Sequence, residues 1–426
     1  MKNISLFLAL FFSLSIAAQN TYLHCGELID TSTGKILKEM TVIVNGDKIT
    51  AVEKGYLPAK GHKDKVIDLK SKTVMPGLID LHVHIESEMN PKRYLESFVL
   101  NEADIAYNAQ VMAKKTLMAG FTTVRDLGGS GVNVSLRNAI NSGKVIGPRI
   151  FTAEKSLATT GGHADPTNGR NKLLIGDPGP KEGVVNGVAD AKKAVRQRYK
   201  NGADVIKITA TGGVLSVAKS GQNPQFTTEE IKAIVETAND YGMHVAAHAH
   251  GDEGMQRAVM AGVRTIEHGT LMSEKTMNLM KEHGTYYVPT ITAGKAVAEK
   301  AQIKGYFPDA VVPKALAIGP KIQETFTKAY KKGVPIAFGT DAGVFNHGEN
   351  GKEFAYMAEA GMPVIETIQT ATTIAAKVLD MDKQLGQIKA GYYADIVATN
   401  KNPAKDISTM EHITFVMKNG VVYKLL

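Results

Sequence analysis

The sequence predicts an α/β protein: a (β/α)8 TIM barrel with a small β-sandwich domain formed by the N- and C-terminal segments. Three observations predict it. Eight short β-like runs alternate with helical stretches between residues 75 and 380, the pattern of βα units on a parallel sheet. The two flanks carry hairpin signals instead. The polar residues able to do chemistry collect at the C-terminal ends of the runs, where barrels of this kind keep their active sites.

In chain order, residues 1–18, MKNISLFLALFFSLSIAA, join the cationic Lys2 to an apolar run that ends in small residues. That is the build of a secretory signal peptide, too short to span a bilayer comfortably. Cleavage is expected after Ala17 or Ala18, and the mature protein is expected to be periplasmic or secreted, without a membrane span. Residues 19–74 carry GKILKEMTVIVNGDKITAVEKG, with β-like residues on both sides of Asn45-Gly46, a strong hairpin signal. The barrel is expected over 75–380. Its eight runs are VMPGLIDLHVHI, FTTVRDLGG, RIFTAEKSL, DVIKITATGG, HVAAHAHG, TIEHGT, YYVPTITA and PIAFGTDAG. Helices are expected over 189–200, 227–241, 252–261 and 273–283. Thr227 with Glu230 reads as a capping box, and Gly242 and Gly284 suit helix ends. Residues 381–426 return to β character around a second turn, Asn419-Gly420, and complete the small domain.

Composition narrows the function classes. Cys25 is the one cysteine, so the chain has no internal disulfide and relies on its core, for which 43% hydrophobic residues are ample. The net charge of +8 falls by one when Lys2 is removed. The basic residues are spread and mixed with acids, and no basic cluster with interleaved aromatics speaks for nucleic acid. A homo-oligomer is left open.

The register of the polar residues carries the chemistry. His82 and His84 stand two apart, so in a strand they face the same way. Lys207 sits in the fourth run, His248 and His250 in the fifth, His268 in the sixth and Asp341 in the eighth. Ile206 and Ile208 flank Lys207 and predict its burial. A buried ammonium tends to lose its proton, and the neutral amine can add carbon dioxide to give a two-oxygen carbamate able to bridge cations. The alternative is a lysine paired with a buried acid such as Asp204. Imidazole and carboxylate donors suit zinc. One ion would take His82, His84 and Asp341, and a second His248 and His268, with N6-carboxylated Lys207 between them. A hydroxide bridging the pair would be the nucleophile, with Asp341 moving protons. The alternative for Asp341 is a cap on the following helix. His250 is read as touching substrate, against a purely structural role.

These motifs, MPGLIDLHVH, VIKITATGG, VAAHAHG, TIEHGT and FGTDAG, resemble the successive strand motifs of the amidohydrolase superfamily. The likeness is to its imidazolonepropionase-like branch, which includes metal-dependent Xaa-Pro dipeptidases (prolidases) and related carboxypeptidases. GQIKAGYYADIVATNKNP is similar to the return of that family's small β-domain. The resemblance implies a hydrolase of amide bonds or cyclic amides, with two metals on His82, His84, Lys207, His248, His268 and Asp341. It also implies a substrate contact for His163 in TTGGHAD; the alternative is an ordinary loop residue. Phe226 stands where some relatives are expected to place a tyrosine against a substrate carboxylate, and a phenyl ring cannot donate that bond. Arg125 either binds an anion or pairs with Asp126 or another barrel acid. The expected function is cleavage of dipeptides or N-acyl amino acids. Ring-opening of a cyclic amide or lactone is the alternative, and a non-catalytic solute-binding protein is third.

Overall fold

The computed structural model describes residues 19–426, so the export signal read in 1–18 lies outside the described residues. The chain opens with β1 (Asn20–Asp30), β2 (Lys35–Asn45), β3 (Lys48–Lys54) and β4 (Lys65–Pro76). Seven short strands follow: β5 (Leu78–Val83), β6 (Phe121–Asp126), β7 (Arg149–Thr152), β8 (Ile206–Thr209), β9 (Val245–Ala249), β10 (Thr265–His268) and β11 (Tyr286–Val288). The chain closes with β12 (Ile396–Thr399), β13 (Ile413–Lys418) and β14 (Val421–Leu425).

The flanking strands form one seven-stranded sheet in the order β14-β13-β12-β4-β1-β2-β3. Where two layers were expected, a single sheet curls back on itself. Lys48 at its β3 edge bridges Tyr393, just before β12, and the amide of Ala394 donates to the carbonyl of Asp47. Alternate residues of each strand face the enclosed core, so Leu23, Val42, Ile396 and Phe415 pack together, fully buried. The β13–β14 turn uses Asn419 and Gly420, both at positive φ (49° and 74°), the twist that short hairpins need.

The remaining strands pair in parallel as two arcs, β5-β6-β7 and β8-β9-β10-β11. A bridge between Leu157 and Ile208 joins the arcs at one end. At the other, the eighth run makes single parallel bridges, Ile336 to Tyr287 and Ala342 to Val83. It lacks a regular ladder because Asp341 turns into the left-handed region at φ 61°. Asp80 holds this run in place, accepting from the backbone N–H and the hydroxyl of Thr340 at 3.0 and 2.6 Å.

Helices cover the outside. Val188–Asn201, Thr228–Asp240, Asp252–Met260 and Glu274–His283 lie where the spacing predicts them. Thr227 and Glu230 form the expected reciprocal cap, and Gly284 ends its helix at φ 67°. Their apolar faces and the strands enclose the main core, with Ile206, Ile231, Ile234 and Ile266 at its centre. Two further helices, Ile291–Lys300 and Val312–Lys332, shape one wall of the site. No helix among the described residues is long and apolar enough to cross a membrane.

Candidate active site

The strand register delivers five histidines, a lysine and an aspartate to one place. The ring centroids of His82 and His84 are 5.4 Å apart, those of His82 and His268 5.0 Å, and those of His248 and His268 4.7 Å. His250 stacks on His268 at 5.0 Å. Asp341 Oδ1 lies 3.4 Å from His82 Nε2 and 3.3 Å from His84 Nε2. Lys207 Nζ is 3.4 Å from His82 Nε2. Donor atoms of His82, His268 and Asp341 all fall within 4.8 Å of one another, close enough to hold a metal ion.

The outer hydrogen bonds decide which lone pairs point inward. His84 Nδ1 faces the carbonyl of Gly128 at 2.7 Å and His82 Nδ1 faces Glu267 Oε2 at 2.9 Å. Carbonyl and carboxylate oxygens only accept, so both Nδ1 atoms carry the proton and both Nε2 atoms present lone pairs. His268 Nδ1 engages the Thr290 hydroxyl at 2.8 Å, which directs its Nε2 to the centre. His248 is the reverse case, its Nε2 facing the carbonyl of Gly212 at 3.2 Å, which leaves Nδ1 as the free donor atom. Asp341 Oδ1 is buried and receives no hydrogen bond. Lone pairs of two imidazoles and a carboxylate oxygen thus meet with no proton between them, an arrangement that suits a cation.

Burial keeps these imidazoles neutral, pushing His84 and His250 down to about 4 and His82, His248 and His268 well below their ordinary value. Burial also draws Lys207 down and Asp341 up. The backbone is strained here as well: His268, Thr290 and Asp341 adopt positive φ of 70°, 53° and 61°, a conformation that surrounding structure must hold in place.

The amidohydrolase family model matches residues 73–425. The chain belongs to the amidohydrolase family. It is a hydrolase acting on carbon–nitrogen bonds. Among solved structures, it is similar to a Xaa-Pro dipeptidase with methionine bound in the active site, at 53% identity and a TM-score of 0.93, over 95% of this chain and all of that one. Among curated proteins it is 31% identical to ochratoxinase of Aspergillus niger, over 96% of this chain and 87% of that one. It is also 26% identical to imidazolonepropionase of Alkaliphilus metalliredigens, over 91% and 92%.

In this amidohydrolase Asp204 pairs with Arg137 at 2.6 Å and not with Lys207. Asp341 caps no helix: its carboxylate faces His82 and His84. Arg125 is fully buried and bonded to Glu267 at 2.8 Å, the barrel-acid alternative read from sequence. Phe226 is 2% exposed in the core and does not line the site. His163 does, its ring stacked on His248 at 4.4 Å and its Nδ1 buried without a partner. Gly213 makes room for it, since a Cβ there would lie 2.1 Å from the His163 ring.

Glu267 is the residue that sequence reasoning missed. In TIEHGT it reads as one more polar strand residue, yet it joins His82 Nδ1 to Arg125 through its two oxygens. Only its place one residue before His268 could have drawn notice. In Glu267→Gln the amide oxygen can accept from His82 or from Arg125 but not from both. Divalent-ion affinity of the amidohydrolase should fall about 10- to 100-fold, as for other partners behind metal-binding histidines. Competition with a graded chelator measures it, and unchanged affinity would remove Glu267 from this role.

Proposed function

We propose that the chain is an exported amidohydrolase that holds two divalent ions, zinc by donor chemistry, and cleaves amide bonds of dipeptides or N-acyl amino acids. In this reading the parallel ring is a (β/α)8 barrel over 75–380, with 19–74 and 381–426 forming the side domain. The observation that carries the reading is the convergence of unprotonated imidazole nitrogens on the partnerless Asp341 Oδ1. His82, His84 and Asp341 would hold one ion and His248 and His268 the other, with carboxylated Lys207 between. Once bound, the pair supplies an acidified water and polarises the amide carbonyl.

The chain's own groups do the rest. Asp341, its carboxylate facing His82 and His84, takes a proton from the attacking water and passes it toward the leaving amine. The Ile291–Lys300 and Val312–Lys332 helices wall off water with Val297, Ile318 and Ile322, which line a cavity of about 660 Å³ above the site. His163 offers a neutral ring, its Nδ1 free to bond substrate. A prolidase and an ochratoxinase among the relatives support hydrolysis of this kind.

Metal analysis with a panel of dipeptides and N-acyl amino acids, read by amino-acid release, tests the reading. Near two divalent ions per chain and release from some panel members are expected, and the exported protein should lack residues 1–18 by mass. Less than one ion per chain with no hydrolysis after reloading would sink it. His163→Ala should lower kcat/KM about ten- to a hundredfold, the worth of a hydrogen bond to a carbonyl oxygen that gains charge as it is attacked, with both ions retained. Loss of metal in that variant would instead make His163 part of the ion-holding set.

A further inference from the structure

The cavity has walls of two kinds. Its floor is the cluster of His82, His84, Lys207, His248 and Asp341, and Val214, Leu215, Ile318 and Ile322 make an apolar side. Two arginines, Arg93 and Arg170, line both this cavity and a second space of about 740 Å³.

Neither has a carboxylate or any side-chain hydrogen bond among the described residues. Arg125, Arg137, Arg149, Arg198, Arg257 and Arg264 each pair with an acid. Acids are not lacking nearby, but they are engaged elsewhere. Glu86 accepts from the backbone of Ser130 and Asn133, Glu88 pairs with Lys115, and Glu96 takes Asn90. The Arg170 guanidinium lies over the Phe98 ring at 4.8 Å. Stacking of that kind fixes the plane and leaves the N–H edges free for a planar anion. The positive charge of Arg93 is close enough to act on the His84 imidazole. Two half-buried, unpaired guanidiniums beside a hydrolytic centre form a receptor for a carboxylate.

We propose that Arg93 and Arg170 receive the free carboxylate of the substrate, so that the amidohydrolase takes amides of α-amino acids with apolar side chains. This rests on the amide-hydrolase reading above and adds the groups that select within it. Phe226, shut in the core, offers the cavity nothing for that carboxylate. His163, stacked on His248, sits deeper and is left to meet the scissile carbonyl.

The test separates binding from turnover. Calorimetry on the metal-loaded protein compares L-methionine with L-methioninamide, whose side chains are the same and whose carboxylate differs. The native protein should prefer the free acid at least tenfold, in line with a bond between charged groups. Arg93→Met and Arg170→Met should each shrink the preference severalfold, and the double variant should abolish it. Arg196→Met, at an exposed arginine also without an ion pair, should leave it intact. No preference in the native protein, or an undiminished one in the double variant, would overturn the proposal. Failure of the amide panel alone would instead count against the hydrolytic reading, since the calorimetry does not depend on turnover.

Discussion

Lys207→Ala should abolish turnover and release much of the bound metal. The side chain sits between the two groups of imidazoles, 3.4 Å from His82 Nε2, and no acid among the described residues forms an ion pair with it. Burial already lowers its proton affinity, the condition under which an amine is free to take up carbon dioxide. Alanine removes the amine and leaves space in which two cations would face each other with no anion between them. The expected loss therefore reaches beyond one ligand, because repulsion between the ions would expel the weaker-held one. A short carboxylic acid such as formate or acetate should restore part of both metal and activity by placing two oxygens in that space. Metal content and turnover, measured with and without the added acid, give the answer. Full activity in the alanine protein would end the carbamate proposal.

Asp341→Asn should reduce kcat by at least the roughly hundredfold that a positioned proton carrier contributes. Asparagine keeps the shape and one oxygen toward His82 and His84 but can neither take up a proton nor carry a charge. Its left-handed backbone at φ 61° is tolerated by asparagine as by aspartate, so the fold around Thr340 should survive. Some metal should remain. The limb of the pH–rate profile that belongs to Asp341 should vanish. An unchanged profile and turnover would show that another group carries the proton.

Much of the site can be read in the chain because strand period and strand direction place residues together. His82 and His84 share a face, and the C-terminal ends of successive parallel strands meet, so His248, His268 and Lys207 could be grouped without coordinates. What could not be read depends on contacts across the ring. Glu267 meets Arg125 and His82 only because β10 comes close to the neighbouring strands β5 and β6 of the other arc, and no local pattern states which acid a buried arginine will choose. Phe226 reads as a residue beside the substrate, whereas its ring fills the core. The eighth run reads as a strand by composition, but the positive φ at Asp341 breaks the ladder, a departure set by the site rather than by propensity. The small domain shows the same limit. Its hairpins are local and legible, while the curl that makes one sheet serve as two layers comes from pairing between distant ends.

That shared sheet also imposes an order in time. The strand β4 lies between β1 and β12, with Val74 opposite Ala398, so one of its neighbours is made long after it. Until then its flank is a bare row of N–H and C=O groups, ready to pair with any extended segment of another molecule. The entropic toll of closing so long a loop grows only slowly with its length, so waiting for β12 is a matter of delay rather than of unfavourable equilibrium. During that delay, crowding among incomplete chains is the hazard. A chain ending before Ile396 would keep the hazard permanently, carrying an open edge that its own sequence can no longer close.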